Sequence, residues 1–374
     1  MKIVALADAA NIHTQKWAYY FAGRGHQLDI ISFRPAKLDT AQVHYLEAGV
    51  IRPEGGNWQY LLRLPAVRQL ILQAKPDLIF CHYLTSYGLI GALLKSSLPL
   101  VVWLHGTDAL VTPDRSPVYR WAMRYTLSRC DLIIMAAAHM EQRVRQMGGK
   151  SKRLMILPVG ADLRKFNQAT LEEPKGLTCI SNRQLVKNSN VDLLLAAIAR
   201  VRQTRPGIHL TIAGDGPLKS DLENVVHRLD LAPQVKFLGE VSNDAMPDLL
   251  RQHSLYLSAT RSDGTSISLL EAMACGTFPI VSDIPANRTW ITEGRNGFLV
   301  PLNQPDLFAQ RILEAVEAPD LIASARAINW ELVKDRGDYL LNMGQAEQAV
   351  EQLLSSRQST VVQLSQRHEA LNSS

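Results

Sequence analysis

Residues Ser262–Ile280 read SDGTSISLLEAMACGTFPI. A loop with an acid, Asp263-Gly264, leads through small hydroxyl residues into an apolar helix pattern that carries a second acid, Glu271. The first turn of a helix leaves N–H groups without partners and lies at the positive end of the helix dipole, so phosphate is favoured there. With about 1.5 Å of rise per residue, Glu271 falls roughly 9 Å into a helix starting near Thr265. The two carboxylates then stand at opposite ends of a phosphate site. That is the spacing of a sugar nucleotide, with sugar hydroxyls at one end and ribose hydroxyls at the other. A surface turn leading into an amphipathic helix fits this stretch alone equally well.

The surrounding sequence weighs between the two. Apolar runs at Leu177–Ser181, His209–Ala213, Val235–Leu238, Leu255–Ala259, Phe278–Ser282 and Gly297–Val300 alternate with helical patterns, as the strands of a parallel sheet covered on both faces do. Ligands of such sheets sit at the carboxyl ends of the strands. Arg183 and Lys187 follow the first of these strands and can neutralise a diphosphate, Arg through a fork and Lys as a point charge. Gly214-Asp215-Gly216-Pro217 makes a tight turn after the second, and Gly239-Glu240-Val241 ends the third. Asp263 to Glu271 follows the fourth, so all four segments converge on one crevice.

The first half repeats the alternation, with strand patterns at Lys2–Ala7, Leu28–Phe33, Leu78–His82, Leu100–His105, Leu132–Ala136 and Leu154–Leu157. Three strand ends stand out: Asp8 to Gln15, which includes Asn11 and His13; His82 to Tyr87; and His105-Gly106-Thr107-Asp108. His105 directly follows a fully apolar run, and Asp108 is placed to cap the next helix or to fix the imidazole. His13 and His82 carry a weaker signal and fit a structural role better. The first strand turn, Asp8-Ala9-Ala10-Asn11-Ile12, lacks the G-x-G-x-x-G of a dinucleotide site, which disfavours a dehydrogenase. Two doubly wound domains facing across a cleft follow from this pattern. The irregular stretch Leu157 to Pro174 puts the boundary at 168/169, giving domains 1–168 and 169–332, a helical segment 333–358, and a Ser/Gln-rich tail 359–374 expected to be disordered.

The chain has 374 residues, 47% hydrophobic and 20% charged, enough for two globular cores. The region Gly88–Leu104 is interrupted by Lys95 and Pro99 and is too short to span a membrane. With Met1-Lys2 leading straight into a strand, a cytoplasmic protein is expected. Four scattered cysteines, Cys81, Cys130, Cys179 and Cys275, suit buried free thiols. Residues 1–165 hold 21 Lys and Arg against 11 Asp and Glu, a net +10, while the remainder holds 19 against 24, a net −5. The basic half includes Arg63, Arg68 and Lys75 on one amphipathic pattern and Arg115, Arg120, Arg124 and Arg129 on another. It calls for an anionic partner, a membrane surface or a phosphorylated substrate; nucleic acid is disfavoured for want of a binding motif.

Gly214-Asp215-Gly216-Pro217, Phe237-Leu238-Gly239 and the run from Asp263 to Glu271-Ala272-Met273-Ala274-Cys275-Gly276 together resemble the donor-binding signature of retaining glycosyltransferases of family four. The resemblance implies the GT-B fold, with two Rossmann-like domains and a C-terminal helix crossing back to the first. It implies that Glu271 holds the nucleotide ribose and that Asp263 contacts the donor sugar. Backbone N–H groups near Ser266, Ile267 and Ser268 take the phosphates, helped by Arg183 and Lys187, with Thr265 also at the donor site. Val241 contacts the base, His105 lies near the reacting carbon, and Asn11, His13 and His82 are acceptor-side candidates. Two departures stand in the motif: the first acid is Asp263 where the family usually has Glu, and Thr265-Ser266 replaces the usual Phe-Gly.

The implied activity is transfer of a hexose from a nucleoside diphosphate sugar, UDP favoured over GDP, to a hydroxyl of a glycan or lipid-linked acceptor. Neither cofactor nor divalent metal is expected, since no Asp-x-Asp site stands at a strand end. A basic first domain adds peripheral association with the inner membrane face as an expectation. Rival readings are a non-catalytic nucleotide-sugar binder, a nucleotide-sugar epimerase, and a glycoside hydrolase using Asp263 and Glu271. The last needs its carboxyl groups about 5–9.5 Å apart across one bond and leaves the phosphate-binding features without a use.

Overall fold

The computed structural model describes residues 1–49, 57–149, 153–168 and 177–372, with side chains through Arg357. The chain divides into two compact units. The first comprises Met1–Val159 with Leu340–Ser374, and the second Gly160–Tyr339.

In the first unit, β1 (Lys2–Leu6), β2 (Gln27–Ser32), β3 (Gln42–Tyr45), β4 (Leu78–His82), β5 (Leu100–Leu104), β6 (Leu132–Met135) and β7 (Arg153–Ile156) form one parallel sheet in the order β3-β2-β1-β4-β5-β6-β7. Strands β4, β5 and β6 read LIFCH, LVVWL and LIIM and are buried along their whole length. Helices cover both faces of such a sheet, which is why these strands are apolar throughout rather than alternating. Strand β3 went unseen in the sequence: QVHY is a half-exposed edge strand with no continuous apolar run.

In the second unit, β8 (Thr178–Ser181), β9 (His209–Ile212), β10 (Val235–Phe237), β11 (Leu255–Ser258), β12 (Phe278–Ser282) and β13 (Phe298–Val300) form a parallel sheet ordered β10-β9-β8-β11-β12-β13. The strand order reverses between β1 and β4 in one sheet and between β8 and β11 in the other. At those points neighbouring crossovers leave on opposite faces and open a crevice beyond the strand ends. All four cysteines are buried and free.

The domain boundaries differ from those expected. The second unit starts at Gly160, because Ala161 donates to the Gly337 carbonyl at 2.8 Å, accepts from Tyr339 N at 2.9 Å, and buries with Phe166 against helix Ile267–Ala274. The irregular composition of this segment hid the two apolar anchors. The helical segment expected from 333 is also shifted. Helix Pro319–Arg336 still packs in the second unit through Ala325 and Val333, and the final helix begins only after the break at Gly337. The final helix continues to Asn372, across residues expected to be disordered. No Gly or Pro lies beyond Gly344 to stop it.

This final helix belongs to the first unit. Asn342 Nδ2 donates to the Pro158 carbonyl at 3.0 Å, and Arg357 reaches the Ser97 carbonyl at 2.6 Å and Asp131 at 2.8 Å. Glu347, 6% exposed, accepts from the Tyr20 hydroxyl at 3.0 Å and from Arg24 Nε at 3.2 Å, and lies 2.8 Å from His26 Nε2.

Candidate functional site

In the second unit the crevice is organised around Arg183, two residues past the end of β8. Its Nη2 meets Asp263 Oδ2 at 2.9 Å and its Nη1 donates to Ser266 Oγ at 2.8 Å. Burial disfavours the charge on Arg183, but Asp263 beside it outweighs that and raises its pKa. Asp263 also accepts from Gly264 N at 2.9 Å. Ser266 is the N-cap of helix Ile267–Ala274, accepting from Leu269 N at 3.2 Å. The helix thus starts at Ile267 rather than near Thr265, so Glu271 lies about 6 Å along it instead of 9 Å. Thr265, Ser266 and Glu271 are each 7% exposed, whereas Ile267 and Ser268 are only partly buried. The first-turn N–H groups of Ile267 and Ser268 have no carbonyl within the helix to bind.

Two neighbouring loops support Arg183. A Cβ on Gly214 would meet the Arg183 carbonyl oxygen at 2.2 Å, and one on Gly216 would meet the Leu185 oxygen at 2.6 Å. Only glycine lets the turn after β9 press on the segment after β8, where Leu185 N donates to the Asp215 carbonyl at 2.9 Å. The Asp215 side chain serves its own loop, accepting from Gly216 N at 2.6 Å and pairing with Lys219 at 3.7 Å. On the other side, Asn188 Nδ2 donates to the Ser262 carbonyl at 2.8 Å and Arg261 reaches Asn190 Oδ1 at 2.6 Å. This staple, which the sequence reading missed, ties the Lys187–Ser189 turn to the Asp263 loop. Lys187 is exposed and forms no ion pair among the described residues. Val241 packs, partly buried, against the cluster that includes Ala213 and Leu269.

The first unit gathers its own candidates beyond β1, β4 and β5. His82 closes β4 and is fully buried; its Nδ1 lies 3.0 Å from His105 Nε2. The His13 ring stacks on His105 with centroids 4.5 Å apart. Burial, with His13 adding to it, pulls the His82 pKa down to about 3, and burial likewise pulls His105 well below its ordinary value, so both imidazoles are neutral. Asp108 does not touch the imidazole. It accepts from the backbone N–H groups of His105 at 3.2 Å, Gly106 at 3.0 Å and Leu84 at 3.0 Å, fixing the loops after β4 and β5 together. Asn11 caps helix Ile12–Gly23 by accepting from His13 N at 2.9 Å, a structural duty. Among the described residues, no group of three or more His, Cys, Asp and Glu side chains could hold a metal ion.

Comparison with known proteins places both units. A family model described as glycosyl transferases group 1 matches residues 163–329, and one described as glycosyl transferase 4-like matches residues 2–137. An uncharacterized glycosyltransferase of Methanocaldococcus jannaschii is 26% identical over 265 residues, 70% of this chain and 72% of its own length. The GtfA subunit of a UDP-N-acetylglucosamine–peptide N-acetylglucosaminyltransferase of Streptococcus agalactiae is 22% identical over 262 residues, 66% of this chain and 51% of that protein. A GDP-mannose-dependent phosphatidylinositol monomannoside mannosyltransferase of Corynebacterium glutamicum is 24% identical over 258 residues, 62% of this chain and 66% of that one. Sucrose-phosphate synthase from Thermosynechococcus elongatus shares the fold with a TM-score of 0.82 at 18% identity, over 95% of this chain and all of that one. Anabaena HepE, solved in complex with UDP-glucose, shares it with a TM-score of 0.78 at 18% identity, over 94% of this chain and all of its own.

Proposed function

Because the chain belongs to the group 1 glycosyltransferases and has their GT-B fold, we propose that it is a retaining hexosyltransferase using a nucleoside diphosphate sugar, UDP favoured over GDP. The observation that carries this is the convergence of Arg183, Asp263 and Ser266 on the N-terminus of helix Ile267–Ala274, above the β8/β11 switch point. A guanidinium already held in place, with free helical N–H groups beside it, stabilises the diphosphate that departs with the electrons of the C1–O bond. Lys187 adds a mobile charge, Glu271 holds the ribose, Val241 meets the base and Asp263 holds the sugar; the family resemblance gives His105 a sugar contact of its own. The acceptor oxygen bonds to C1 on the face the diphosphate leaves, and its proton passes to a departing phosphate oxygen. No metal is needed when Arg183 and Lys187 neutralise that charge. UDP is favoured over GDP because the related GtfA is a UDP-N-acetylglucosamine transferase and HepE is solved with UDP-glucose, while the related mannosyltransferase is GDP-mannose-dependent.

The test is to incubate the protein with UDP- and GDP-sugars in EDTA and follow slow donor hydrolysis and thermal shift. A response to a UDP-sugar that Glu271→Ala abolishes is expected, and silence with every nucleotide sugar refutes it.

A lipid-linked acceptor at the inner membrane face is the acceptor class proposed. Helix Pro117–Arg129 exposes Val118 and Trp121, each 55% accessible, beside exposed Arg120 and Arg124. Trp58 contacts Tyr119 across a 5.1 Å centroid separation and brings exposed Leu62 and Arg63 on the neighbouring turn. Apolar rings among arginines suit an anionic bilayer surface. No helix among the described residues is long and apolar enough to cross a membrane. Flotation with anionic liposomes that Trp121→Ser with Arg124→Ser weakens is expected; equal recovery with neutral and anionic lipid rejects it.

A further inference from the structure

Strands β4 and β5 pair in parallel with His82 opposite Trp103, and His105 follows two residues after Trp103. The three rings lie nearly parallel, His82 and His105 within 6° and Trp103 and His105 within 8°. His13 stacks on His105 from a different element, the first turn of helix Ile12–Gly23. Stacking fixes the plane of His105, but it does not decide which of its nitrogens carries the proton.

The contact with His82 does. A neutral imidazole carries one N–H, so the pair holds two protons. One lies in the shared Nδ1···Nε2 contact at 3.0 Å. The other must sit on His105 Nδ1 or on His82 Nε2, and neither atom has a hydrogen-bond partner among the described residues. His82 is wholly enclosed, at 0% exposure, with Trp17 and Phe80 against it. An N–H there would stay orphaned in every state of the enzyme, at the full desolvation cost of a buried donor. His105 Nδ1 is covered as well, but the residue is only partly buried and stands at a strand end, where a small shift of the ring lets a ligand oxygen satisfy an N–H.

We propose that His82 is a positioning residue that donates from Nδ1 to His105 Nε2, confines the His105 proton to Nδ1, and so makes His105 a hydrogen-bond donor to the sugar and never a base. That His105 meets the sugar rests on the function proposed above; the tautomer does not. A donor at this position stabilises charge on a sugar or phosphate oxygen and leaves the acceptor proton to the departing diphosphate.

The full chain labelled with 15N-histidine, with His105 assigned through His105→Gln, reads the tautomer in long-range proton–nitrogen correlation. The expected pattern is a protonated Nδ1 and a bare Nε2 on both His82 and His105. The opposite pattern, with Nε2 protonated on both, overturns the proposal. For function, His82→Asn places its amide N–H where Nδ1 was, whereas His82→Gln carries it past His105. Donor hydrolysis by the Asn variant is expected to keep kcat within about threefold, and the Gln variant to lose on the order of tenfold at nearly constant KM, less than outright deletion of a donor. Equal behaviour of the two variants overturns it as well. If the parent protein hydrolyses no nucleotide sugar, the proposed function fails while the nitrogen spectrum still decides the tautomer.

Discussion

Arg183 and Asp263 stand 80 residues apart in the chain and meet at 2.9 Å, each on the loop beyond a neighbouring strand of the second sheet. Both side chains are about four-fifths enclosed, Arg183 at 17% and Asp263 at 20% exposure. The acid that departs from the family pattern is thus the one that aims the guanidinium at Ser266 and the helix terminus. In the proposed reaction Asp263 therefore acts through Arg183 as well as through its own contact with the sugar.

If the two act as one unit, their deletions are not additive. Arg183→Met is expected to lower kcat/KM for donor hydrolysis by about 100-fold. With Asp263→Asn in the same chain, a double-mutant cycle should show a coupling of about 0.5–3 kcal/mol. Simple additivity would mean that each residue meets the donor independently.

Ser266 tests the cap separately from the charge. Ser266→Ala removes the acceptor for Leu269 N and the oxygen that Arg183 binds, and should cost about 1 kcal/mol of stability in urea unfolding. Ser266→Asp preserves the cap but places a carboxylate where the proposed function puts phosphate. Its stability should match the parent, while its KM for a nucleotide sugar rises by an order of magnitude or more. An unaltered KM in the Asp variant would place the phosphates elsewhere.

Gly214→Ala forces a methyl against the Arg183 carbonyl at 2.2 Å, and the backbone must move. A loss of about 1–3 kcal/mol is expected, with donor affinity falling further than stability because the displaced carbonyl belongs to Arg183 itself. Thermal unfolding and nucleotide titration of the same sample separate the two effects.

Glu347 gives a pH dependence with a definite sign. Burial alone would raise its pKa, but hydrogen bonds from His26 and Tyr20 and the charge of Arg24 prevail and hold it below the ordinary glutamate value. Its contribution is therefore fully present above the unfolded-chain value of about 4.3 and is lost as pH falls through the lower folded value. Glu347→Gln should cost about 1–2 kcal/mol at pH 7 and flatten the acid limb of stability against pH. An unchanged acid limb would show that the final helix docks without this carboxylate.

Much of the fold was legible from sequence. Among the described residues, twelve of the thirteen strands read as apolar runs ending within a residue or two of where they form; the central ones, β4, β5, β6, β11 and β12, are buried on both faces and so almost wholly apolar. Strand β3 has no such run, and Ala161 and Phe166 anchor the second unit from within a polar stretch. The histidines divide the same way: His105 announced itself after LVVWL, whereas His82 carried a weaker signal, as an acceptor-side candidate, because the partner that gives it a role lies on another strand.

The sequence by itself determined the two parallel sheets, the turn glycines Gly214 and Gly216, and the acids and small hydroxyl residues of Ser262–Ile280. Those are properties of periodicity, backbone freedom and local hydrogen bonding, all of which act over a few residues. Only the tertiary structure decided that Arg183 grips Asp263, that Asp108 ties two loops rather than one imidazole, and that His13, His82 and His105 share a stack. Those contacts depend on which strands become neighbours across a crossover, and a parallel sheet sets that order through packing over tens of residues, where no local pattern records it.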